Sequence, residues 1–252
     1  MNNPSQHEQP SVKARTMADA LKWVSGGFAL FKSDVGTWVK TIVVGFCIMI
    51  AMGMIPVLGS VASMLLTYVW IGGLMLGCHA VYEGKSFDIK YLFAGFNTNL
   101  LKLVQLSVIT GLASLFVMSL VFSPENYEAA LNIEQLSQAE AEAFMQDFLV
   151  KFLFVMLLML PLIMASWFAP ALIVFHNMSV FSAMRASIDA CAKNVMPFLL
   201  YGLVTTAMYI AALIPLFLGL LVVLPVIVAS IYMSYRDIFL TSDSAHSMSF
   251  EA

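Results

Sequence analysis

The sequence predicts an all-α membrane protein with six transmembrane helices in three hairpins, each preceded by an amphipathic interfacial helix. Of its 252 residues, 61% are hydrophobic and only 11% are charged, and the mean hydropathy is +0.89. Soluble domains contain about 25% charged residues. The apolar residues form six runs, each long enough to cross a bilayer. A soluble all-α protein is the alternative, but helices that are apolar on every side need more surrounding protein than this chain provides.

The first unit, residues 17–84, starts with an amphipathic helix over Met17 to Lys32, and Trp23 borders its apolar and basic polar faces. Helices with this pattern lie in the plane of the membrane interface. Two apolar runs follow, and a turn at Pro56 between them makes them a hairpin. The predicted spans are residues 37–57 and 58–81.

Two glycines in the second span predict close helix packing. Gly73 and Gly77 lie four residues apart, so they share one face of the helix. Small residues at this spacing let two helix backbones approach each other closely. The pair therefore indicates a helix contact, but the spacing does not name the partner helix.

The second unit, residues 85–178, repeats this order with an amphipathic stretch over Ser86 to Thr98. Its predicted spans are residues 103–122 and 152–175. Pro161 and Pro170 lie inside the later span. Proline removes a backbone hydrogen bond and clashes with the preceding turn, so we expect this span to be kinked. The loop between the two spans, residues 123–147, is acidic.

The third unit, residues 179–238, has an amphipathic helix from Ser179 to Asn194, and Pro215 marks the turn of its hairpin. The predicted spans are residues 198–213 and 216–233. Because all three units enter from the same side, the sequence predicts a pseudo-threefold parallel repeat about an axis along the membrane normal. Residues 1–16 are predicted to be a disordered cytoplasmic tail, and residues 239–252 a cytoplasmic C-terminal tail.

The basic residues predict the orientation. Of the 12 Lys and Arg residues, all but Lys151 fall on one side of the predicted spans. Basic residues are enriched on the cytoplasmic side of membrane proteins, so both termini should be cytoplasmic and residues 123–147 periplasmic. The net charge of −3 comes mostly from that acidic loop. Without a basic cluster, the sequence does not indicate a nucleic-acid partner.

Ionisable residues are missing from the middle third of every predicted span and gather instead at the cytoplasmic ends. This polar layer is expected to contain His79, Glu83, His176, Arg185, Asp189, Lys193, Arg236 and Asp237. Salt bridges and hydrogen bonds that hold the interfacial helices to the span ends are the favoured interpretation. A metalloenzyme site built on His79, Glu83 and His176 is the alternative, but no metal-binding motif is present and no metal, cofactor or enzymatic activity is expected.

The spans contain hydroxyl and methionine side chains. Hydroxyls at these depths, such as Ser107, Thr110, Ser114, Ser166 and Tyr68, usually bond their own helix or join helices. Methionine is flexible and suits surfaces that receive irregular apolar ligands, and the chain has 18 of them. The alternative is simple core filling. As a set they predict an apolar cavity, with lining candidates Met75, Met164, Trp167 and Phe168.

Short motifs spread along the chain carry a resemblance to a known family. They are Leu92-Phe-Ala-Gly-Phe96, Phe168-Ala-Pro-Ala-Leu172 with Ser187, Asn194, Pro197-Phe198 and Tyr201-Gly202 after it, and Tyr235-Arg-Asp-Ile-Phe239. With them, the chain from Met17 to Phe239 resembles a family of bacterial inner-membrane proteins of similar length that includes a trimeric translocator. The resemblance implies a six-span homotrimer in the inner membrane that moves large amphiphilic drugs of the macrolide type.

Two functions follow from the sequence as expectations. The first is a small inner-membrane transporter of amphiphilic compounds, whose partners are membrane lipids, amphiphilic small molecules and further copies of the chain. The second is a non-transporting scaffold or lipid-binding protein whose cavity holds a lipid tail. A water-accessible path across the bilayer would favour the first function, and a sealed, lipid-filled pocket would favour the second.

Overall fold

The structure is a computed structural model that describes residues 11–123, 126, 128, 131–132 and 137–240. The ordered elements of this part of the chain are all helices. They are α1 (Met17–Ser33), α2 (Val35–Gly53), α3 (Leu58–Tyr82), the 3₁₀ helix η1 (Ile89–Phe96), α4 (Leu100–Val121), α5 (Gln138–Trp167), α6 (Ala169–His176), α7 (Val180–Lys193), α8 (Val195–Leu213) and α9 (Leu220–Phe239).

Six helical segments are long and apolar enough to cross a membrane. They are α2, α3, α4, the α5–α6 segment over residues 138–176, α8 and α9. Each contains an 18-residue window with a mean hydropathy between 1.5 and 2.6. A run of about 20 apolar residues matches the thickness of the hydrocarbon core. The prediction of an all-α fold with six helices able to span a membrane is therefore confirmed.

The predicted amphipathic helix over Ser86 to Thr98 is shorter and more tightly wound than expected. It forms the 3₁₀ helix η1, whose first turn is capped by the Asp88 carboxylate, which accepts a hydrogen bond from the Lys90 backbone N–H. This hydrogen bond lowers the pKa of the Asp88 carboxyl. Close to the other end of η1, Gly95 packs directly against the backbone carbonyl of Val69 on α3. A side chain at Gly95 would leave no room for this contact.

The fourth span is also organised differently from the prediction. Helix α5 begins at Gln138, within the loop region, where the side chains and backbone N–H groups of Ser137 and Glu140 form a capping box. The helix continues through Pro161 and ends at Trp167. Phe168 interrupts it, and Pro170 lies in the first turn of the short helix α6, where a missing N–H costs little. The expected kink therefore occurs at the second proline.

Each of the three short amphipathic helices packs on the two long helices of a different predicted unit. Helix α1 packs mainly against α9 and also against α8, η1 packs against α3 and α2, and α7 packs against α5, α6 and α4. Small residues make the approach possible on α1, since a Cβ atom on Gly27 would lie 2.6 Å from the Ser230 nitrogen of α9. Small residues at contacts are the usual way in which helices approach closely in membranes.

Residues 11–16, at the end of the predicted disordered tail, are hydrogen-bonded to the last turn of α9 and to the start of α8. The Lys13 backbone N–H donates to the Ile238 carbonyl oxygen over 3.0 Å. The Arg15 backbone N–H donates to Asn194 Oδ1 over 2.7 Å, and Asn194 Nδ2 donates to the Lys13 carbonyl oxygen over 3.0 Å. Asn194 is fully buried, so these bonds satisfy a side chain that water does not reach.

Candidate functional site

An open groove of about 240 Å³ lies between helices α3, α4 and α5, in the apolar part of the bundle. We call it the hydroxyl groove because six of its lining residues carry hydroxyl groups. The hydroxyl groove is lined by Met64, Thr67, Tyr68, Ser107, Thr110, Gly111, Ser114, Met159, Leu162, Ile163 and Ser166. All of these residues lie on α3, α4 and α5.

Most of these hydroxyls bond to the backbone of their own helix. Thr110 Oγ1 donates to the Leu106 carbonyl oxygen over 2.8 Å, and Ser114 Oγ donates to the Thr110 carbonyl oxygen over 2.8 Å. Thr67, Ser107 and Ser166 donate four residues back in the same way. Each hydroxyl has one donor and two acceptor lone pairs, so the donor is used and the oxygen can still accept. The groove is therefore a row of hydrogen-bond acceptors.

Tyr68 and two methionines complete the walls of the groove. In the described part of the chain, the Tyr68 hydroxyl has no hydrogen-bond partner, so it is the donor that the groove can offer a ligand. Met64 and Met159 supply flexible apolar walls. A Cβ atom on Gly111 would lie 2.6 Å from Met64 Cε, so the open space depends on this glycine.

A second set of polar side chains links α3, α6 and α9 near the ends of these helices. His79 Nδ1 lies 2.8 Å from the Tyr232 hydroxyl, and His176 Nε2 lies 2.8 Å from the Tyr235 hydroxyl. Arg236 Nη1 donates to the Tyr232 hydroxyl over 3.2 Å. Both tyrosines belong to α9, so each histidine joins a different helix to it. Burial of both tyrosines makes these bonds structural cross-links.

The predicted polar layer is only partly brought together. Arg236 Nη1 lies 3.9 Å from Glu83 Oε1, and Asp237 accepts from Trp23 Nε1 over 2.9 Å. Arg185 and Asp189 are exposed on α7 and form no ion pair in the described part of the chain. Lys193 is exposed at the end of the same helix. Among the described residues, no three His, Cys, Asp or Glu side chains come together in a way that could hold a metal ion.

The four predicted cavity residues do not line either cavity described here. Met75 and Phe168 are 2% and 0% exposed and belong to the packed core, whereas Met164 and Trp167 are partly buried. The Trp167 ring packs edge-on against Phe198 and Tyr201, with ring centroids 5.9 and 6.2 Å away. Its Nε1 atom is buried and has no hydrogen-bond partner among the described residues.

Ser187 holds the break between α5 and α6, a role that the sequence analysis did not predict. Its hydroxyl accepts from the Phe168 backbone N–H over 2.9 Å and donates to the Met164 carbonyl oxygen over 2.5 Å. In an uninterrupted helix these two backbone groups would bond to each other. The hydroxyl is thus inserted into the helix ladder, a recognised cause of kinks. Its place in an amphipathic helix gave no signal of this role.

Gly73 faces η1, and Gly77 faces Phe87, two residues before η1, and Tyr91 within it. A Cβ atom on Gly73 would clash with the Tyr91 backbone oxygen, and one on Gly77 would lie 2.5 Å from the Phe87 ring. The close approach at both glycines is therefore a contact within the chain, between α3 and the segment that contains η1.

No protein-family model, curated protein or solved structure matches this chain. Its function is therefore inferred from its own cavities, charges and hydrogen bonds. All residues that line the hydroxyl groove belong to helices that could cross a membrane.

Proposed function

We propose that this chain is a small transporter of a bacterial inner membrane that binds large amphiphilic compounds, such as macrolide-type antibiotics, at the hydroxyl groove. The observation that supports this is the row of back-bonded hydroxyl oxygens on α3, α4 and α5. Such oxygens accept hydrogen bonds from hydroxyl or ammonium groups of a ligand. Met64 and Met159 offer an adaptable wall to its apolar body.

The size of the groove limits what it holds at one time. Pockets for drug-sized ligands enclose about 300–1,000 Å³. The hydroxyl groove encloses about 240 Å³ and is open on one side. A macrolide-sized compound therefore inserts one edge, and the rest of it stays among the lipids. Its affinity comes mainly from buried apolar area, so ligands of similar size are expected to bind similarly.

The packing of the short helices supports a three-hairpin repeat with units 17–84, 85–178 and 179–238. Helix η1 packs on the hairpin of the unit before it, and so does α7, while α1 packs on the hairpin of the last unit. This cyclic order is what a pseudo-threefold parallel repeat produces. The homotrimer is proposed from the family resemblance alone.

The proposed orientation puts both termini in the cytoplasm and residues 123–147 in the periplasm, because basic residues favour the cytoplasmic side. Ser86 and Ser137 are exposed near opposite ends of the helices. In a background without the three native cysteines, an impermeant thiol reagent should label the Ser137→Cys variant in intact cells. It should label the Ser86→Cys variant only after the membrane is opened. The reverse labelling would refute this orientation.

A binding experiment with two matched threonines tests the groove. Thr110 and Thr205 are both buried and both donate over 2.8 Å to the carbonyl oxygen four residues back, but only Thr110 lines the groove. The Thr110→Val variant loses one acceptor, which at about 0.5–1.5 kcal/mol weakens drug binding roughly 2- to 10-fold. The Thr205→Val variant should bind the drug like the unaltered protein.

Filling the groove with a larger side chain should weaken drug binding more than the Thr110→Val variant does. The Gly111→Leu variant should abolish binding, whereas Gly202→Leu should not, because a Cβ atom on Gly202 meets nothing within 4 Å. Binding is measured with purified protein and a macrolide-type antibiotic. If all four variants bind the drug equally well, the groove is not its site.

The second candidate function is lipid binding without transport, and the small volume of the groove favours it. Proteoliposomes separate the two functions. A transporter speeds the passage of the drug across the bilayer relative to empty liposomes, and the Gly111→Leu variant does not. Binding without faster passage would instead identify a lipid-binding or scaffold protein.

A further inference from the structure

A larger cavity of about 620 Å³ lies at the end of the bundle, where the residues before α1 meet the last turns of α3 and α9. We call it the basic pocket. It is lined by Lys13, Arg15, Asp19, Lys22, Trp23, Tyr82, Met233, Arg236, Asp237 and Leu240. It shares no lining residue with the hydroxyl groove.

Positive charge is in excess in the basic pocket. Four of its lining residues are cationic and two are acidic, which leaves two positive charges over. Arg15 Nη2 lies 3.0 Å from Asp237 Oδ1, and Lys22 Nζ lies 2.7 Å from Asp19 Oδ1. Glu83, just outside the lining, lies 3.9 Å from Arg236 Nη1, so one positive charge still remains when it is included.

Asp19 stays ionised at physiological pH, so its charge counts in full in this balance. Hydrogen bonds from the Lys22 ammonium and from Thr16 lower the pKa of Asp19 to about 2. The remaining donors of the pocket point to an anion. Lys13 Nζ donates one hydrogen bond to the Leu240 carbonyl oxygen over 2.9 Å. An ammonium group has three N–H donors, so two remain for a ligand.

The apolar part of the lining distinguishes the basic pocket from an ordinary patch of surface charge. Trp23 and Tyr82 supply aromatic surface, and the Arg236 guanidinium lies 3.3 Å above the Tyr82 ring. Met233 and Leu240 supply aliphatic surface. On α1, the apolar side chains of Met17 and Leu21 are about half exposed, at 50% and 52%. A ligand that fits this combination has an anionic head and an apolar body.

We infer that the basic pocket binds the phosphate group of an anionic ligand and holds it at the membrane surface. The pocket lies at the ends of two helices able to span a membrane, which is the depth of phospholipid headgroups. Basic side chains near an anionic membrane surface contribute to headgroup binding. A phospholipid headgroup and a soluble phosphate ester share this chemistry, and the pocket takes either one through the same lysines.

Two double variants provide the test, because each of them removes two positive charges. The Lys13→Gln/Lys22→Gln variant changes the pocket, and the Lys85→Gln/Lys90→Gln variant changes exposed lysines outside it. Lys22 and Lys90 are matched closely, since their side chains are 75% and 73% exposed and each is paired with an aspartate. The single Lys22→Gln variant replaces the double one if loss of the Lys13 hydrogen bond impairs folding.

Binding is measured by titrating the purified protein, in neutral detergent, with phosphatidylglycerol and with phosphatidylcholine. The pocket variant should bind phosphatidylglycerol about tenfold more weakly than the unaltered protein, and the outside variant should lose less than twofold. Phosphatidylcholine should bind the unaltered protein and the two variants with the same affinity. Competition with glycerol 3-phosphate identifies the source of the phosphate group. If glycerol 3-phosphate displaces phosphatidylglycerol, the ligand is a soluble phosphate ester. If it does not, the ligand is a lipid headgroup.

Two results would overturn the inference. One is that the unaltered protein binds phosphatidylglycerol no more tightly than phosphatidylcholine and does not bind glycerol 3-phosphate. The other is that both lysine variants lose affinity equally, which would reduce the effect to general surface charge. Neither result bears on the hydroxyl groove, whose binding experiment uses a different ligand and different residues.

Discussion

The two ends of the helical bundle are packed in opposite ways. At the end that contains the basic pocket, Ala229, Ser230 and Tyr232 of α9 are completely buried. At the other end, apolar residues of the turns are largely exposed, with Val57 at 74% and Leu216 at 85%. In water, so much exposed apolar surface would promote aggregation. A lipid bilayer solvates it instead.

At the tightly packed end, small residues and hydroxyls allow the closest helix contacts. Lipid is as apolar as leucine, so large aliphatic residues gain little by leaving it. The tight contacts accordingly occur at Gly27, Gly73, Gly95 and Ser187.

The largest effect is expected when a tight contact is overfilled. The Gly73→Leu variant places a side chain against the Tyr91 backbone oxygen, and overpacking costs about 1–3 kcal/mol or more. We expect a lower melting temperature in detergent and a smaller yield of monodisperse protein. The matched control is Gly45→Leu in α2, because a Cβ atom there meets nothing within 4 Å. Equal melting of the two variants would contradict the contrast between tight and open helix faces.

A smaller effect is expected from removing one hydroxyl at a tight contact. The Ser187→Ala variant leaves the Phe168 N–H and the Met164 carbonyl oxygen buried without their partner, which costs about 1–3 kcal/mol of folding stability. At the exposed end, Leu216→Ala should change stability by no more than about 0.5 kcal/mol, although it removes more atoms. Chemical denaturation of both variants measures the difference. If Leu216→Ala proves more destabilising, the exposed end is packed in solution.

The sequence predicts those features that depend on neighbouring residues. Six apolar runs indicate the six helices, and Pro170 indicates the break in the fourth of them. The bounds of the helices differ where tertiary contacts intervene. The predicted amphipathic stretch over Ser86 to Thr98, for example, forms the short 3₁₀ helix η1, and Gly95 of η1 packs against Val69 of α3.

The hydroxyl groove could not be predicted in the same way, because its residues come from three helices. Ser107, Thr110 and Ser114 share one face of α4, and this spacing is a signal that the sequence does contain. The facing residues Thr67 and Ser166 become neighbours only through packing. The abundance of methionine, the prolines of the fourth span and the family resemblance predict Met75 and Phe168 as lining residues, but the surrounding elements bury both side chains in the core.

The contact between α1 and α9 has a consequence for how the chain is made. These are the first and last helices of the described chain, and they pack together more extensively than any other pair. A ribosome releases α1 well before α9, so α1 waits without its partner while the intervening helices insert. Contacts between distant parts of a chain form late because they close long loops. A chain that ends before α9 is therefore left with the face of α1 that contains Gly27 uncovered, because Gly27 packs against Val226 and Ser230 of α9.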